Sequence, residues 1–188
     1  MGEGGGITAK DQKLVARARQ LRYCGIGKSG FEASASKQRW WEYNVTDFFP
    51  KMLPSDIGAS IGLAQLKKLD GMQAKRKKIW DLYQSEFQEV SWLKRPVDAS
   101  AGDRHSYFTY CIRVDGGKRD ALAKFLYDNG IYTTLRYQPL HMIPIYGSKA
   151  KLDVCERLNE EALSIPLHPG LSDADVEKIV TAVKQFQA

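Results

Sequence analysis

Apolar residues recur at the spacing of an α-helix between Ser55 and Leu69, in a stretch that reads SDIGASIGLAQLKKL. The periodic positions are Ile57, Ile61, Leu66 and Leu69. Ser55 is a suitable N-cap, since its hydroxyl can accept from the first turn, and Asp56 places a negative charge at the positive end of the helix dipole. Gly58 and Gly62 each lower helix propensity by about 1 kcal/mol relative to alanine. The pattern therefore predicts a helix that either packs tightly within one subunit or lets another backbone or a ligand approach closely.

The same period predicts further helices on both sides of this stretch. They run from Asp11 to Arg22, from Met72 to Phe87, around Leu122 to Leu126, from Leu152 to Ala162, and after Ser172. Gly71 is the expected kink before the second of these, so residues 55–88 form one bent helix or two abutting helices. Asn129-Gly130 marks a helix end, and Ser172 with Asp175 has the spacing of a capping box.

Alternating polar and apolar positions predict strands in the second half of the chain. The alternation occurs at 107–114, 131–137 and 163–167. In the first of these, one face is expected to carry Phe108, Tyr110, Ile112 and Val114. Near the start of the chain, the glycine-rich residues 2–6 are expected to form a turn that leads into a short strand. This order of helices and strands indicates an α/β or α+β fold.

Between Gly25 and Pro54 neither period persists, and glycine and proline residues interrupt the chain. Long irregular segments of this kind are often functional or disordered. This one carries Trp40, Trp41 and Tyr43, and disordered segments are usually poor in aromatic residues. We therefore expect it to pack against its own domain or a partner subunit. Trp40 and Trp41 are also candidates for stacking on the base or sugar of a ligand, although interface or core packing is the more common role of such a pair.

The chain has 188 residues, a net charge of +6 and a pI near 9.2, which suits an anionic partner. A nucleotide diphosphate satisfies that preference as well as a nucleic acid does, and no recognisable motif favours nucleic acid. Cys24, Cys111 and Cys155 form no CxxC pair. We therefore expect no disulfide framework and no metal site, in keeping with a reducing cytoplasm. We also expect no secretion signal and no membrane partner, because no apolar run is long enough.

Motifs of the common catalytic kinds are absent from the sequence: no histidine stands in a Ser–His–Asp or Cys–His arrangement, and GEGGG lacks the lysine of a P-loop. The most suggestive cluster is Arg136, Tyr137 and His141, which follows a predicted strand on a proline-containing loop. Arginine binds phosphate bidentately, and phenol and imidazole groups hydrogen-bond to hydroxyls, which suits a nucleotide-linked sugar. The alternative is that Arg136 pairs with a surface carboxylate and that His141 caps the loop.

Four stretches, in the same order along the chain, resemble the sugar-nucleotide aminotransferases of the DegT/DnrJ/StrS type. They are GEGGGITAKDQKLVARARQLRYCGI (2–26), SDIGASIGLAQLKKLD (55–70), TTLRYQPLHMIPIYG (133–147) and ALSIPLHPGLSDADVEKIV (162–180). No single stretch is decisive, but together they extend over nearly all of the chain. The resemblance implies the C-terminal part of the aspartate-aminotransferase-like (type I) fold, with a small mixed or antiparallel sheet covered by helices.

The resemblance also implies a division of the chain into three parts. Residues 1–54 are the expected remnant of the large cofactor domain, with a strand, a helix and a long aromatic loop. Residues 55–88 are the expected connecting helix, and residues 89–188 the C-terminal small α/β domain. Enzymes of this family are usually homodimers that use pyridoxal 5'-phosphate to move an amino group from glutamate to a keto-sugar nucleotide.

The same resemblance assigns roles to particular positions. Arg136, Tyr137 and His141 are expected to help bind the substrate. Lys51 lies in the loop expected to reach the cofactor phosphate of a neighbouring subunit, where Leu53 occupies a position at which the family often has a hydrogen-bond donor. The Schiff-base lysine of the family lies upstream of the GEGG segment. No catalytic residue is therefore expected in this chain, and the chain by itself is expected neither to bind the cofactor nor to turn over.

Two other interpretations stay open at this point. One is a stand-alone nucleotide-sugar-binding or dimerisation module without enzymatic activity, and a weaker one is a basic nucleic-acid binder, which only the net charge favours. For the aminotransferase fragment, the expected partners are a nucleotide-sugar substrate, a second copy in a homodimer or swapped assembly, and a separate N-terminal chain. No nucleic acid and no membrane is expected among them.

Overall fold

The computed structural model describes residues 2–27, 35, 39, 41, 43–135 and 137–186. The chain divides into two compact units, residues 1–68 and 69–188. The division into parts at 1–54, 55–88 and 89–188 stays a prediction. Two candidate ligand residues, Trp40 and Arg136, lie outside the described residues.

In the first unit, helix α1 (Gln12–Arg22) begins at Asp11, whose side chain accepts from Lys13 N at 2.8 Å. Residues 2–11 form no strand, which corrects the expectation for this stretch. A strand needs a neighbouring strand to satisfy its N–H and C=O groups, and no described residue forms a β-bridge with residues 2–11.

The end of α1 turns sharply and meets the chain again near residue 46. Gly25 has φ of +69°, and a Cβ there would overlap the carbonyl oxygen of Asp47, so glycine is required both by conformation and by space. The Gly25 carbonyl accepts from Thr46 N at 3.1 Å. Arg17 on α1 forms a two-pronged ion pair with Asp47, and isolated β-bridges join Tyr23 to Lys51 and Ile26 to Val45. Residues 45–47 and 51 are therefore joined to the end of α1, whereas the described aromatic side chains of the 25–54 segment are exposed: Trp41, Tyr43, Phe48 and Phe49.

Helix α2 (Asp56–Leu66) has the predicted cap, because the Ser55 side chain accepts from Gly58 N at 3.1 Å. None of its residues is buried within this chain. Its exposed large apolar side chains are those of Ile57, Ile61, Leu63 and Leu66. A helix that is apolar on all sides is normally covered.

The second unit begins with helix α3 (Leu69–Glu86). The interruption between α2 and α3 falls at Lys67 and Lys68, so the prediction of a kink at Gly71 is wrong. Glycine lowers helix propensity by only about 1 kcal/mol, and α3 offsets this by burying Trp80 and Tyr83 further along.

Three short strands form an antiparallel sheet in the order β1 (Leu93–Lys94), β2 (Tyr110–Val114) and β3 (Ala162–Ile165). Residues Leu93 and Val114 pair between β1 and β2, and residues Tyr110 and Ile165 pair between β2 and β3. The mixed α/β composition and the small antiparallel sheet confirm the predicted fold class.

The remaining elements follow in chain order. They are α4 (Arg119–Asp128), two single 3-10 turns (Leu140–Met142 and Pro144–Tyr146), α5 (Asp153–Glu161) and α6 (Asp173–Gln185). The capping box at the start of α6 is confirmed, with Ser172 and Asp175 each bonding to the other's backbone. The core lies between one sheet face and the helices, and its fully buried members include Tyr83, Phe87, Tyr110, Ile112, Val114, Leu122, Leu126 and Val183.

Two predictions about the strands are wrong. Strand β2 begins at Tyr110 rather than at residue 107, because Tyr107 has φ of +47°, and Phe108 is exposed rather than on the buried face. In the described part of the predicted strand at 131–137 there is one bridge, in which Thr134 and Ser164 exchange both backbone hydrogen bonds. The next hydrogen-bonded pair in that register would need an N–H from Pro166, which proline lacks.

Candidate substrate site

A cavity of about 500 Å³ lies in the 69–188 unit. It is lined by Lys94, Arg95, Pro96, Val97, Cys111, Arg113, Leu135, Tyr137, Pro139, Cys155, Leu158, Asn159 and Ala162. Alternation along β2 explains its floor: Tyr110, Ile112 and Val114 are fully buried in the core, so Cys111 and Arg113 project from the opposite face. We call this space the sheet-face cavity.

The described lining of the sheet-face cavity carries three cations and no carboxylate. Lys94 Nζ lies 2.9 Å from Asp115, and Arg113 Nη1 lies 3.9 Å from Glu161 Oε2. Arg95 Nη1 donates to the Gln84 carbonyl. Asn159 adds a buried Oδ1 without a hydrogen-bond partner among the described residues. The arrangement suits an anion that also offers a hydrogen-bond donor.

Tyr137 is the one predicted substrate residue that the structure places in this lining, among those it describes. Its side chain is largely exposed, and Pro139, two positions later, is buried. Sequence reasoning missed Lys94, Arg95 and Arg113, because a single arginine on a strand gives no pattern that points to a shared cavity.

His141 does not appear in the cavity lining. Its side chain is only 10% exposed, and Nε2 lies 3.1 Å from Glu156 Oε1 on α5. A carboxylate can only accept, so the imidazole Nε2–H donates. Glu156 Oε1 also accepts from Leu152 N at 2.9 Å. This backbone donor, followed by His141, holds the pKa of Glu156 below its ordinary value.

A second cavity of about 540 Å³ lies at the other end of β2, near the start of α6. Its polar lining includes Thr109, Tyr132, Ser164, Lys178 and Arg76. Arg76 Nη1 donates to the carbonyls of Tyr107, Phe108 and Leu167, at 3.1, 3.2 and 3.1 Å. Arg76 belongs to the basic run 75–78 on α3, and these three bonds give it a structural role.

In the 1–68 unit, Lys51 is exposed, and its Nζ lies 5.9 Å from the centre of the Tyr23 ring. Among the described residues, no carboxylate lies within salt-bridge distance of Lys51. Its ammonium therefore fits a phosphate oxygen. Trp41 is 60% exposed. The structure places Lys51 and Trp41 in one unit and Tyr137 and His141 in the other.

Within the part of the chain that the structure describes, no group of His, Cys, Asp or Glu residues could hold a metal ion. No described helix combines the length and the apolar character needed to cross a bilayer.

Comparison with known proteins identifies the class. The sequence profile of the DegT/DnrJ/EryC1/StrS aminotransferase family matches residues 1–184. A relative from Saccharopolyspora spinosa, named dTDP-4-dehydro-2,3,6-trideoxy-D-glucose 4-aminotransferase, is 35% identical over 99% of this chain and 48% of that protein. The crystal structure of the aminotransferase TlmJ from Streptoalloteichus hindustanus matches with a TM-score of 0.82 and 40% identity, over 93% of this chain and 45% of that one. The PMP form of Spr1654 from Streptococcus pneumoniae matches with a TM-score of 0.77 and 26% identity, over 94% of this chain and 45% of that one.

The fold is therefore that of the aminotransferases that depend on pyridoxal phosphate. The chain belongs to the DegT/DnrJ/EryC1/StrS aminotransferase family, which confirms the resemblance. It spans about half the length of the relatives it matches. Lys51 is exposed, so its ammonium group is accessible to an anion such as the phosphate group of this cofactor.

Proposed function

We propose that this chain is the C-terminal part of a pyridoxal-phosphate-dependent aminotransferase that moves an amino group from glutamate to a keto-sugar nucleotide. The observation that carries the proposal is the sheet-face cavity, where three cations meet the loop that carries Tyr137. The name of the Saccharopolyspora relative, which specifies a dTDP-linked dehydro sugar, supports the substrate class.

The polar lining residues with cationic or phenolic side chains are proposed to bind the nucleotide and its sugar. The planar guanidinium groups of Arg95 and Arg113 bind phosphate oxygens bidentately, and Lys94 adds a point charge. The phenol of Tyr137 hydrogen-bonds to a sugar hydroxyl or packs against the ring of the sugar. Arg136 comes from the same loop in sequence, and we assign it to the same anion. Trp40 and Trp41 are proposed to contact the base or the sugar of the substrate.

The cofactor, when bound, supplies the electron sink for amino transfer. Lys51 is proposed to hold its phosphate in a neighbouring subunit, and the lysine that bonds to the cofactor is proposed to lie outside these 188 residues. The chain by itself should then neither hold the cofactor covalently nor turn over. An absorbance scan after incubation with pyridoxal phosphate tests this. A stable visible band that borohydride fixes to one lysine of this chain would contradict it.

A homodimer or swapped assembly in the cytoplasm is the proposed context, with a segment outside these residues completing the large domain. The support comes from α2, an apolar helix with no buried residue in this chain. The native mass, measured by light scattering after gel filtration, distinguishes a dimer from a monomer. A monomer at all concentrations, with no co-purifying chain, would count against the assembly.

The substrate proposal is tested by measuring the affinity of the purified chain for dTDP by calorimetry. Hydrogen bonds to charged groups contribute about 1.5–3 kcal/mol, so Arg113→Gln should raise Kd about 10- to 150-fold. Lys124→Gln is the matched control, since it removes one positive charge from an exposed helical pair with Asp128. Equal losses in the two variants, or no loss in Arg113→Gln, would refute a role for the cavity in nucleotide binding.

A stand-alone nucleotide-sugar-binding or dimerisation module is the second candidate. It is favoured by the fact that the described lining of the sheet-face cavity comes wholly from the 69–188 unit. Transfer of labelled nitrogen from glutamate to a keto-sugar nucleotide by the assembled protein separates the two. Transfer supports the enzyme, whereas nucleotide binding without transfer in any assembly supports the module.

A further inference from the structure

Glu156 joins two segments that precede it in the chain. Its Oε1 atom accepts from His141 Nε2 at 3.1 Å and from Leu152 N at 2.9 Å. His141 belongs to the first 3-10 turn, Leu152 is the residue before α5, and Glu156 lies in the first turns of α5. One carboxylate oxygen thus ties the loop to the start of the helix.

The described backbone bonds of residues 139–147 stay within that segment. Between Pro139 and Gly147 the backbone hydrogen bonds of the described residues are local, and they run from Met142 N to Pro139 O, Ile143 N to Leu140 O, Tyr146 N to Ile143 O, and Gly147 N to Pro144 O. Such turns shape the loop but do not anchor it to its neighbours. The bond from His141 to Glu156 is a side-chain contact that supplies this anchor.

The anchor lies close in sequence to the cavity wall. Tyr137 and Pro139 line the sheet-face cavity, and Met142 N bonds back to Pro139 O at 2.9 Å, so the His141 turn is hydrogen-bonded to a residue of the cavity wall. The His141 ring itself is nine-tenths buried and does not line the cavity. Its position therefore suits a residue that acts through another rather than one that touches the substrate.

We propose that Glu156 and His141 are positioning residues, which together latch the loop that carries Tyr137 over the sheet-face cavity. The latch is expected to set the affinity for the nucleotide substrate, and this consequence rests on the proposed function. It revises the expected role of His141 from substrate contact to anchor. The donor Nε2–H, and not the imidazole as such, is what the latch requires.

The latch can be tested without any activity, because Cys111 lies half-buried in the floor of the same cavity. In a Cys24→Ser, Cys155→Ser background, Cys111 is the only thiol, and its rate of reaction with a disulfide reagent reports opening of the loop. Glu156→Ala and His141→Ala should each raise that rate about tenfold, as expected for the loss of a charge-assisted hydrogen bond. The double variant should react no faster than either single variant.

Conservative variants distinguish a latch from a ligand. His141→Gln keeps an N–H donor for Glu156 and should restore most of the protection and most of the dTDP affinity, although the imidazole is gone. Glu177→Ala, an exposed glutamate on α6, is the matched control and should leave both unchanged. In the assembled enzyme, Glu156→Ala should raise KM with little change in kcat.

The outcomes are separable. Unchanged Cys111 reactivity in Glu156→Ala and His141→Ala would overturn the latch, as would additive effects in the double variant. Loss of dTDP affinity in His141→Gln with full thiol protection would make His141 a direct ligand instead. If the unsubstituted protein binds no nucleotide, the proposed function fails, yet the thiol rates still decide the latch. Should Glu156→Ala fail to fold, His141→Ala carries the same comparison, because it removes the same hydrogen bond from the other side.

Discussion

Arg76 offers the most direct check on how the 69–188 unit holds its irregular segments. Its Nη1 atom donates to the carbonyls of Tyr107, Phe108 and Leu167, which joins α3 to the chain before β2 and after β3. Arg76→Ala removes all three bonds. The Phe108 bond is exposed, so water can replace it, whereas the other two are partly buried. A buried acceptor left without a partner costs about 1–3 kcal/mol, and these two carbonyls are only partly buried, so about 1–2 kcal/mol each gives an expected loss of about 2–4 kcal/mol.

Thermal and urea unfolding measure this loss. In a domain of this size, Tm falls by about 2–4 °C for each kcal/mol of lost stability, so the expected loss lowers Tm by about 4–16 °C. Lys78→Ala is the control from the same basic run, because its exposed pair with Asp173 should contribute no more than about 1 kcal/mol. If Arg76→Ala and Lys78→Ala cost the same small amount, the three carbonyl contacts do not stabilise the unit and the reasoning fails. Arg76→Lys, with one compact donor group, should fall between the two.

Two further predictions concern a turn and a cap. Gly25→Ala should destabilise the 1–68 unit, because Gly25 has φ of +69° and a Cβ there would meet Asp47. The destabilisation should appear as faster limited proteolysis after Arg22. An unchanged rate of cleavage would refute the prediction. Ser172 holds the pKa of Asp175 below its ordinary 3.8, so this carboxylate stabilises the fold above that value and the contribution is lost as pH falls through the lowered pKa. Asp175→Asn should therefore flatten the acid limb of stability measured by urea unfolding, and an unchanged limb would contradict this.

Local signals in the sequence predicted the helices and their caps. Ser55 and the Ser172–Asp175 pair cap their helices as expected, because an N-cap depends on residues within one turn of it. Strands β2 and β3 also followed from alternation and the small antiparallel sheet from the resemblance, whereas β1 was not predicted. Among the described residues, the predicted strand at 131–137 is limited to the bridge at Thr134; on the side of Tyr132, the limit is set by Pro166, which lies far away in sequence.

The candidate site was predictable only in part. The cluster around Tyr137 was visible because its members are adjacent in sequence. The cations of the sheet-face cavity were not, since Lys94, Arg95 and Arg113 meet only when β1 pairs with β2. The bond between His141 and Glu156 joins residues 15 positions apart across an irregular loop. No spacing rule links a histidine in such a loop to a glutamate on the next helix.

The apolar surface of α2 has a consequence for how the protein is made in a cell. Residues 56–66 leave the ribosome before residues 69–188, and none of them is buried in the structure described here. An apolar helix whose surface stays exposed during synthesis binds chaperones and can nucleate aggregation. The amount of soluble protein will therefore depend on how soon another segment or chain buries the surface of α2. Co-expression with the polypeptide that supplies the cover should raise the recoverable amount more than any change in the well-packed sheet.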